Sequence, residues 1–325
     1  MGRIDGDDRQ PGRPRGDLGP GREAPGRGAR PLGALSPDHP FLDHPGPIPF
    51  AHRGGAEDHP ENTMAAFQAA VTLGYRYLET DVHATADGVL IAFHDDRLER
   101  VTDGRGYVAE MSWAGARTAR VGGREPIVEF AELLATFPEA RFNVDPKHDA
   151  AVRPLIETIR AAKAAERICI GSFSDARVAE IREAFGPAIC TALGPWELAA
   201  LRAGAWGLRP FLNRLRRRPG RCVQVPPRGR WGLPLVEPRL IAAAHDQSLP
   251  VHVWTVNGAA EMARFLDLGV DGLFTDVPAV LRDVLVERGE WVPFPAPGAP
   301  GAPGAPGAPR KRAKPAAPGT PDPSA

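Results

Sequence analysis

Cysteine is scarce in this chain of 325 residues, which has only Cys169, Cys190 and Cys222, and these stand far apart. They form no Cys-x-x-Cys pair, so neither a zinc site nor a disulfide framework is indicated. Because each cysteine lies in a short apolar run, we expect buried thiols in a reducing compartment.

The chain also lacks an excess of either charge and any long apolar run. Its 40 basic residues balance 40 acidic ones, so no overall field attracts nucleic acid. No apolar run approaches the ~20 residues of a membrane span. The N-terminus has no apolar segment typical of a secretion signal. The sequence therefore predicts a cytoplasmic protein without a nucleic-acid partner.

Glycine and proline are abundant at both ends of the chain. Residues 1–44 show little apolar periodicity and cannot bury enough apolar surface to offset the entropy of ordering. Residues 296–325 open with an Ala-Pro-Gly repeat, which favours an extended, solvated backbone. We predict that both segments are disordered and that one domain occupies residues 45–295.

Between these ends, short apolar runs alternate with amphipathic helical patterns. Strands are expected at residues 48–53, 77–83, 141–147, 168–173, 188–193, 221–226, 250–256 and 272–275. Helices are expected at residues 63–73, 129–137, 151–165, 175–185, 195–204, 238–247, 259–268 and 278–288. Eight strands with interleaved helices favour an α/β fold, the closed (β/α)8 TIM barrel, over an open sheet.

A ninth apolar run, residues 89–94, does not fit this alternation because only five residues separate it from the strand at 77–83. A parallel crossover needs about a dozen residues or more, so these two runs are expected to form a hairpin. Two turn positions are open, one of which pairs His94 with Glu79 and the other with Asp81. Either register brings an imidazole beside a carboxylate.

Polar side chains gather near the C-terminal ends of the predicted strands, where active sites of these barrels lie. Alternate residues of a strand share a face, so Glu79 points with Asp81, and Asn143 with Asp145 and Lys147. Neighbouring carboxylates repel each other unless a cation or a proton lies between them. A hard divalent ion, Mg²⁺ or Ca²⁺, is the natural occupant of such a site.

His52 and Arg53 follow the first predicted strand, and the Arg53 guanidinium suits a phosphate because its donors are planar and bidentate. A single histidine on a strand is more often structural than catalytic, so the prediction depends on the whole set. Two histidines, three acids and two cations at the mouths of three strands indicate phosphodiester hydrolysis by general acid–base catalysis with a metal.

The order of these motifs resembles the glycerophosphodiester phosphodiesterase family. HRG, PENT, ETDVHATADG, FHD and NVDPK follow one another between residues 52 and 147, and VWTVN and GVDGLFTDVP are similar to the family's last strands. The resemblance covers about residues 48–285. It implies a metal-dependent phosphodiesterase on a TIM barrel, with a small insertion after the second strand at about residues 95–128.

The resemblance also implies individual roles. The implied metal ligands are Glu79, Asp81 and Asp145, the implied acid–base pair is His52 and His94, and the implied phosphate and glycerol contacts are Arg53, Lys147 and Trp254. The family more often has glutamate where this chain has Asp145, so the carboxylate here is one methylene shorter.

Three functions remain open. The first is hydrolysis of glycerophosphodiesters to sn-glycerol 3-phosphate and an alcohol. The second is a lysophospholipase D activity of the same site at a membrane surface, which the basic segment 206–221 would contact weakly; an exposed helix with solvated Arg side chains is the favoured interpretation of that segment. The third is an inactive barrel that only binds phosphoglycerol.

We also expect His83 to be exposed on the hairpin.

Overall fold

The computed structural model of the chain describes residues 39–207, 220–229 and 232–294. The predicted disorder of residues 1–38 and 296–325 lies outside these ranges, as does most of the basic segment 206–221. Within these ranges, none of the helices combines the length and the apolar character that crossing a membrane requires.

Eight parallel strands curl into a TIM-like α/β barrel. The strands of the described chain are β1 (Ile48–Ala51), β2 (Tyr77–Ala84), β3 (Leu90–Ala92), β4 (Arg120–Val121), β5 (Glu125–Pro126), β6 (Arg141–Pro146), β7 (Ile168–Ile170), β8 (Cys190–Thr191), β9 (Val223–Val225), β10 (Val251–Val253) and β11 (Gly272–Thr275). The barrel strands follow the order β8-β7-β6-β2-β1-β11-β10-β9. A parallel bridge between Ala192 and Cys222 joins the two end strands and completes the ring. All eight predicted barrel strands are confirmed.

The helices lie where the periodicity predicts them, apart from one short addition. They are α1 (Met64–Thr72), α2 (Trp113–Ala116), α3 (Phe130–Thr136), α4 (Val152–Ala161), α5 (Asp175–Phe185), α6 (Pro195–Ala205), α7 (Pro238–His245), α8 (Ala259–Asp267) and α9 (Pro278–Glu287). Proline opens α6, α7 and α9, where its missing N–H is not needed. Side-chain oxygens of Thr63 and Ser174 cap α1 and α5.

Apolar side chains fill both faces of the ring, which explains why the barrel strands read as continuous apolar runs. On the outside, residues such as Leu155 of α4 and Phe265 of α8 are buried against the strands. On the inside, Phe50 stacks on Phe274 with ring centroids 4.1 Å apart, and Tyr77 meets Phe50 edge-on at 5.3 Å. The polar residues of the site are therefore mounted on a rigid apolar support.

The packed domain begins earlier than the boundary expected at residue 45. A 3-10 helix, Pro40–Leu42, places the fully buried Phe41 under the N-terminal ends of the barrel strands. The Phe41 carbonyl accepts hydrogen bonds from the Tyr77 hydroxyl at 2.8 Å and from Arg141 at 3.2 Å. A single turn with two apolar residues is too short to give a periodic signal in the sequence.

Strands β2 and β3 form the predicted hairpin, but neither expected register is right. Val82 pairs with Ala92. Beyond the strand ends, the Thr85 N–H donates to the Val89 carbonyl at 3.0 Å, so the hairpin closes on three residues, Ala86 to Gly88. Gly88 adopts a φ of 82°, which favours glycine. The turn is therefore centred on Asp87, whereas an even loop would be centred between two residues.

This register changes the surroundings of two histidines. It gives His94 the place opposite Thr80, not opposite Glu79 or Asp81. His83, expected on the surface, is only 6% exposed, and its Nε2 lies 3.1 Å from the carbonyl oxygen of His94. His83 is buried because β3 and the segment that follows it fold back over β2.

Residues 93–128 form a small unit beside this hairpin, with β4 and β5 as an antiparallel ribbon. Its own apolar cluster contains the buried Phe93, Leu98, Val108 and Val121. Ile91 of β3 belongs to the same cluster, so the unit is anchored to the end of the barrel that carries the site.

Candidate active site

His52 and an aspartate from the last strand form a close pair. His52 Nδ1 lies 2.6 Å from Asp276 Oδ1. The two residues meet because β1 and β11 are paired neighbours, with Ala51 opposite Thr275. The Asn257 amide donates a hydrogen bond to Asp276 Oδ2 at 2.8 Å and fixes the carboxylate. The imidazole is thereby held with Nδ1 toward the acid, and Nε2 is the atom that faces the site.

Acidic neighbours make His52 easier to protonate. Its Nε2 lies 3.8 Å from Glu79 Oε2. Burial by itself lowers the pKa of His52, but the charge of Glu79 and the hydrogen bond to Asp276 together outweigh burial, so this pKa is raised above 6.5. A histidine in this state is suited to proton transfer near neutral pH.

Glu79 and Asp81 share the inner face of β2, as predicted, and both are buried. Burial and the charge of Asp81 raise the pKa of Glu79 to about 7, against the opposing charge of His52. Asp81 Oδ2 is buried and has no hydrogen-bond partner among the described residues. The two acids therefore lie in surroundings that favour an added positive charge.

Lys147 supplies one such charge. Its Nζ lies 2.6 Å from Asp81 Oδ1 and 2.8 Å from Asp145 Oδ2. Burial lowers the pKa of Lys147, but Asp81 and Asp145 raise this pKa by more than burial lowers it, so the net shift is upward. The ammonium thus separates two of the predicted metal ligands, and Glu79, Asp81 and Asp145 do not bring three oxygens within 4.8 Å of one another.

Arg53 binds to three acids at once. Its backbone N–H donates to Glu79 Oε2 at 2.8 Å, and its guanidinium donates to Glu61 Oε1 at 2.9 Å. Arg53 Nε lies 3.2 Å from Asp81 Oδ2 without the alignment of a hydrogen bond. The backbone of Arg53 has a φ of 52°, a left-handed conformation that turns the chain over the acids.

His94 reaches this cluster through intermediates. Its Nδ1 lies 2.6 Å from Asp95 Oδ1. Arg100 binds both Asp95 and Glu61, and Glu61 binds Arg53. Burial raises the pKa of Asp95, but the hydrogen bonds of Arg100 and His94 outweigh it and bring that pKa to about 2. His94 is thus joined to the site by a chain of ion pairs at its rim.

A cavity of about 400 Å³ is lined by His52, Glu79, Asp81, Asp145 and Lys147, whereas Arg53 and His94 are not among its lining residues. Gln224, whose amide donates to Asn143 Oδ1 at 2.8 Å, forms part of its floor. Trp254 lines it, as predicted, and meets Phe173 edge-on at 5.8 Å. One wall is charged, and the other is apolar and consists of Leu193, Pro195, Leu198, Ala199, Leu235 and Leu240. Such a cavity suits a ligand with an anionic end and a less polar remainder.

Several residues of the site escaped prediction from the sequence: Glu61, Asp95, Arg100, Asn257 and Asp276. Four of them stand in motifs quoted above: Glu61 in PENT, Asp95 in FHD, Asn257 in VWTVN and Asp276 in GVDGLFTDVP. Arg100 carried no such signal, because its contacts depend on the folding of residues 93–128.

Comparison with known proteins shows the family to which the chain belongs. The profile of the Glycerophosphoryl diester phosphodiesterase family matches residues 52–280. The chain belongs to this family. The resemblance indicated by the motifs is confirmed, and the match spans the barrel from His52 to α9.

Individual members of the glycerophosphodiester phosphodiesterase family agree. The probable glycerophosphodiester phosphodiesterase 2 of Mycobacterium tuberculosis is 38% identical over 258 residues, covering 79% of this chain and 97% of that protein. A putative family member from Silicibacter pomeroyi has a TM-score of 0.64 and 25% identity, over 78% of this chain and 98% of its own. A phosphodiesterase of Oleispira antarctica, solved with the product sn-glycerol-3-phosphate, shares the fold, with a TM-score of 0.61 and 20% identity over 74% and 97% of the two chains.

Membership decides between classes of function. Two relatives that this chain matches over nearly their whole length are named glycerophosphodiester phosphodiesterases. The chain is therefore an enzyme, a phosphoric diester hydrolase. This excludes a barrel that merely binds phosphoglycerol.

Proposed function

We propose that this enzyme cleaves glycerophosphodiesters to sn-glycerol 3-phosphate and an alcohol, with His52 and His94 as its acid–base pair and with a divalent ion. The observation that carries the proposal is the meeting of the His52–Asp276 pair with the buried acids Glu79 and Asp81 under one cavity. Proton donors, acceptors and a place for a cation are what hydrolysis of an anionic diester requires.

The two histidines have equivalent supports. Each has a carboxylate 2.6 Å from Nδ1, Asp276 for His52 and Asp95 for His94. A carboxylate on Nδ1 keeps that nitrogen protonated and stabilises the imidazolium. Nε2 of each ring is then the atom that takes or gives a proton at the substrate.

The residues present fit a divalent ion. Asp81 Oδ2 is buried and accepts no hydrogen bond from the described residues, although Arg53 Nε lies 3.2 Å away, and burial together with the charge of Asp81 raises the pKa of Glu79 to about 7. Members of the family generally depend on a divalent metal. We propose that Glu79 and Asp81 hold Mg²⁺ or Ca²⁺ and that Asp145 joins them when the Lys147 ammonium turns to the phosphate. Such an ion would neutralise phosphate charge and lower the pKa of a hydroxyl beside it.

Arg53 and Lys147 would bind the phosphate oxygens, since both already lie against the acids at the cavity floor. Trp254 would cover the glycerol. Residues 95–128 would be the family's insertion after the second strand, and here they supply Arg100, which holds Asp95 and Glu61.

The reaction would begin with the glycerol hydroxyl next to the phosphate. Its oxygen attacks phosphorus while one histidine takes its proton, and the bond to the leaving alkoxide breaks as the other histidine protonates it. Water then opens the cyclic glycerol phosphate with the two histidines in reversed roles. Attack within one molecule avoids much of the entropy of fixing a separate nucleophile.

An assay on a panel of glycerophosphodiesters tests the activity and the ion together. We expect turnover of glycerophosphocholine and glycerophosphoethanolamine, loss of turnover in EDTA and recovery with Mg²⁺ or Ca²⁺. Glu79→Gln is the matched control, which the added ion should fail to rescue. Full turnover after exhaustive chelation would contradict the metal assignment.

A substrate without the vicinal hydroxyl tests the internal attack. The deoxyglycerol diester should bind with similar affinity but be hydrolysed far more slowly than the glycerol diester. Equal turnover of the two diesters would show that water attacks phosphorus directly.

A lysophospholipase D activity is the second candidate, and the apolar wall of the cavity favours it. Phe173, at the cavity, is 72% exposed, and Trp196, next to the lining residue Pro195, is 78% exposed. Exposed aromatic side chains beside an apolar wall suit an acyl chain. If lysophosphatidylcholine is a substrate, Trp196→Ala should lower kcat/KM for it and leave glycerophosphocholine turnover unchanged; no turnover of lysophosphatidylcholine would exclude this candidate.

A further inference from the structure

Three thiols meet inside the barrel, directly under the floor of the catalytic cavity. Cys169 of β7, Cys190 of β8 and Cys222, just before β9, are fully buried, and their sulfurs all lie within 4.8 Å of one another. The Cys169 and Cys222 sulfurs are 3.9 Å apart. Gln224, which lines the cavity, brings its amide nitrogen to 4.0 Å from the Cys169 sulfur. The cluster thus has a place in the fold but no role in the reaction.

A buried imidazole lies beside the group, although its nitrogens are not within 4.8 Å of all three sulfurs, so its ring would turn toward them to bind the same ion. His252 of β10 is 0% exposed, and neither of its ring nitrogens has a hydrogen-bond partner among the described residues. It lies beside Cys222 and interacts with that thiol. Leaving a buried polar group unsatisfied destabilises the fold, and native structures contain few such groups. Because the single thiol of Cys222 can serve only one of the two ring nitrogens, the other lacks a partner among the described residues.

Buried thiols alone have a simpler explanation, which is that they fill space as small apolar side chains. Neutral sulfurs in van der Waals contact would show the same separation. His252 argues against mere filling, because a phenyl ring would occupy its place between the aromatic residues without any loss of hydration. Phe50, whose ring centroid lies 5.1 Å from that of His252, shows that aromatic rings fit this layer.

We propose that Cys169, Cys190, Cys222 and His252 form a zinc site. Structural zinc sites use four ligands from this set, and Zn–S bonds of about 2.3 Å place tetrahedral sulfurs about 3.8 Å apart. Soft sulfur ligands select zinc over the hard ions that suit Glu79 and Asp81, so each site discriminates against the other's metal. Three thiolates and one Zn²⁺ leave a single negative charge, toward which the Gln224 amide is placed to donate.

Such a zinc site cannot be recognised in the sequence, because the cysteines stand far apart. Zinc motifs are recognised when two ligands lie on one loop, whereas here each ligand comes from a different strand. The four strands, β7 to β10, include the pair joined by the bridge between Ala192 and Cys222. An ion at this point would link β8 to β9 at the seam of the barrel, the place where the bridge between Ala192 and Cys222 closes the ring.

Metal content tests the proposal on the full chain. The protein is produced in medium with added zinc, treated briefly with EDTA, desalted and measured by inductively coupled plasma mass spectrometry. We expect one equivalent of zinc per chain, retained because the ligands are buried, and none in Cys222→Ala. Glu79→Gln, which alters the catalytic acids, should keep the full equivalent. Wild-type protein without zinc, or zinc lost in Glu79→Gln but kept in Cys222→Ala, would overturn the proposal.

Cobalt provides a second readout, in which the wild-type spectrum by itself tests the thiolate ligands. Wild-type chain refolded with CoCl₂ should show the thiolate-to-cobalt charge-transfer absorption, and His252→Phe should alter its ligand-field bands. A spectrum typical of oxygen ligands alone would contradict the site. A native mass two hydrogens lower, with a disulfide between Cys169 and Cys222, would replace it with a redox pair.

Discussion

Glu79 illustrates how one residue of the site affects stability. Its pKa rises from 4.5 to about 7 on folding, so the folded chain binds more protons than the unfolded chain between these values. Stability therefore falls as pH rises from about 4.5 to about 7 and stays low above that. Without a bound cation, the ionised Glu79 therefore lowers the stability of the folded chain above about pH 7.

Glu79→Gln should remove this effect. At about pH 8 in EDTA we expect a higher melting temperature for the variant, by about 2–4 °C for each kcal/mol recovered. Near pH 4, where Glu79 is protonated in both states, the variant and the wild type should melt together. Calorimetry at the two values checks this, and a lower melting temperature for the variant at about pH 8 would contradict the assigned pKa.

The two histidines should be needed for turnover but not for folding. We expect His52→Ala and His94→Ala each to lower kcat by about 10²-fold or more, because proton transfer at the substrate is lost. His245 is the control, since its Nε2 lies 2.6 Å from Asp271 Oδ2 at the N-terminal end of β11, the end of the barrel opposite to the site. His245→Ala should keep its kcat. Near-normal kcat in either site variant would remove that histidine from the mechanism.

At the scale of elements, the bridge that closes the barrel between β8 and β9 leaves no room for an added side-chain atom at Gly220. A Cβ at Gly220 would lie 2.5 Å from backbone atoms of Ala192, which belongs to the bridge that completes the ring and also lines the cavity. The backbone of Ala192 cannot move away without breaking its bridge to Cys222. Overpacking of this kind costs about 1–3 kcal/mol or more.

Gly220→Ala should therefore lower both stability and kcat/KM. Gly88→Ala is the control, because its Cβ would meet nothing within 4 Å and only the backbone conformation at φ 82° is strained. That strain costs roughly 1–2 kcal/mol and lies in the hairpin turn. Chemical denaturation should rank Gly220→Ala below Gly88→Ala, and the opposite order would show that the seam can relax.

Element positions were predictable because each depends on nearby residues. Apolar runs set the barrel strands, and prolines such as Pro195 and Pro278 fix the first residue of a helix. The hairpin register was not predictable, since it depends on whether the loop holds an odd or an even number of residues. The place of Phe41 under the barrel was not predictable, because its carbonyl meets Tyr77 and Arg141 only once their strands lie side by side.

The site divides in the same way. Glu79 and Asp81 were placed correctly by strand alternation. Asp276 was missed because its contact with His52 depends on the register between the first and last strands, with Ala51 opposite Thr275, and a closed barrel alone does not fix that register. The position of the Lys147 ammonium between Asp81 and Asp145 depends on side-chain rotamers, about which strand alternation says nothing.

At the scale of the molecule, the chain should tolerate loss of its ends up to a definite residue. A chain of residues 38–295 should keep its melting temperature and its activity on soluble substrates. A chain of residues 45–295 should lose stability, because it lacks Phe41, whose carbonyl binds Tyr77 and Arg141. Loss of a buried Phe costs about 3–5 kcal/mol. Equal melting temperatures for the two chains would contradict this role of Phe41.

The pairing of β1 with β11 also bears on how the protein is made. The partner of His52 is residue 276, so 224 residues separate the two halves of one proton-transfer pair. At about 5–20 residues per second, roughly 11–45 s pass on the ribosome between them. During that time β1 has a strand neighbour on one side only, and its open edge can pair with other chains. The nascent protein is thus incomplete as a catalyst and vulnerable to aggregation until nearly its last strand has been translated.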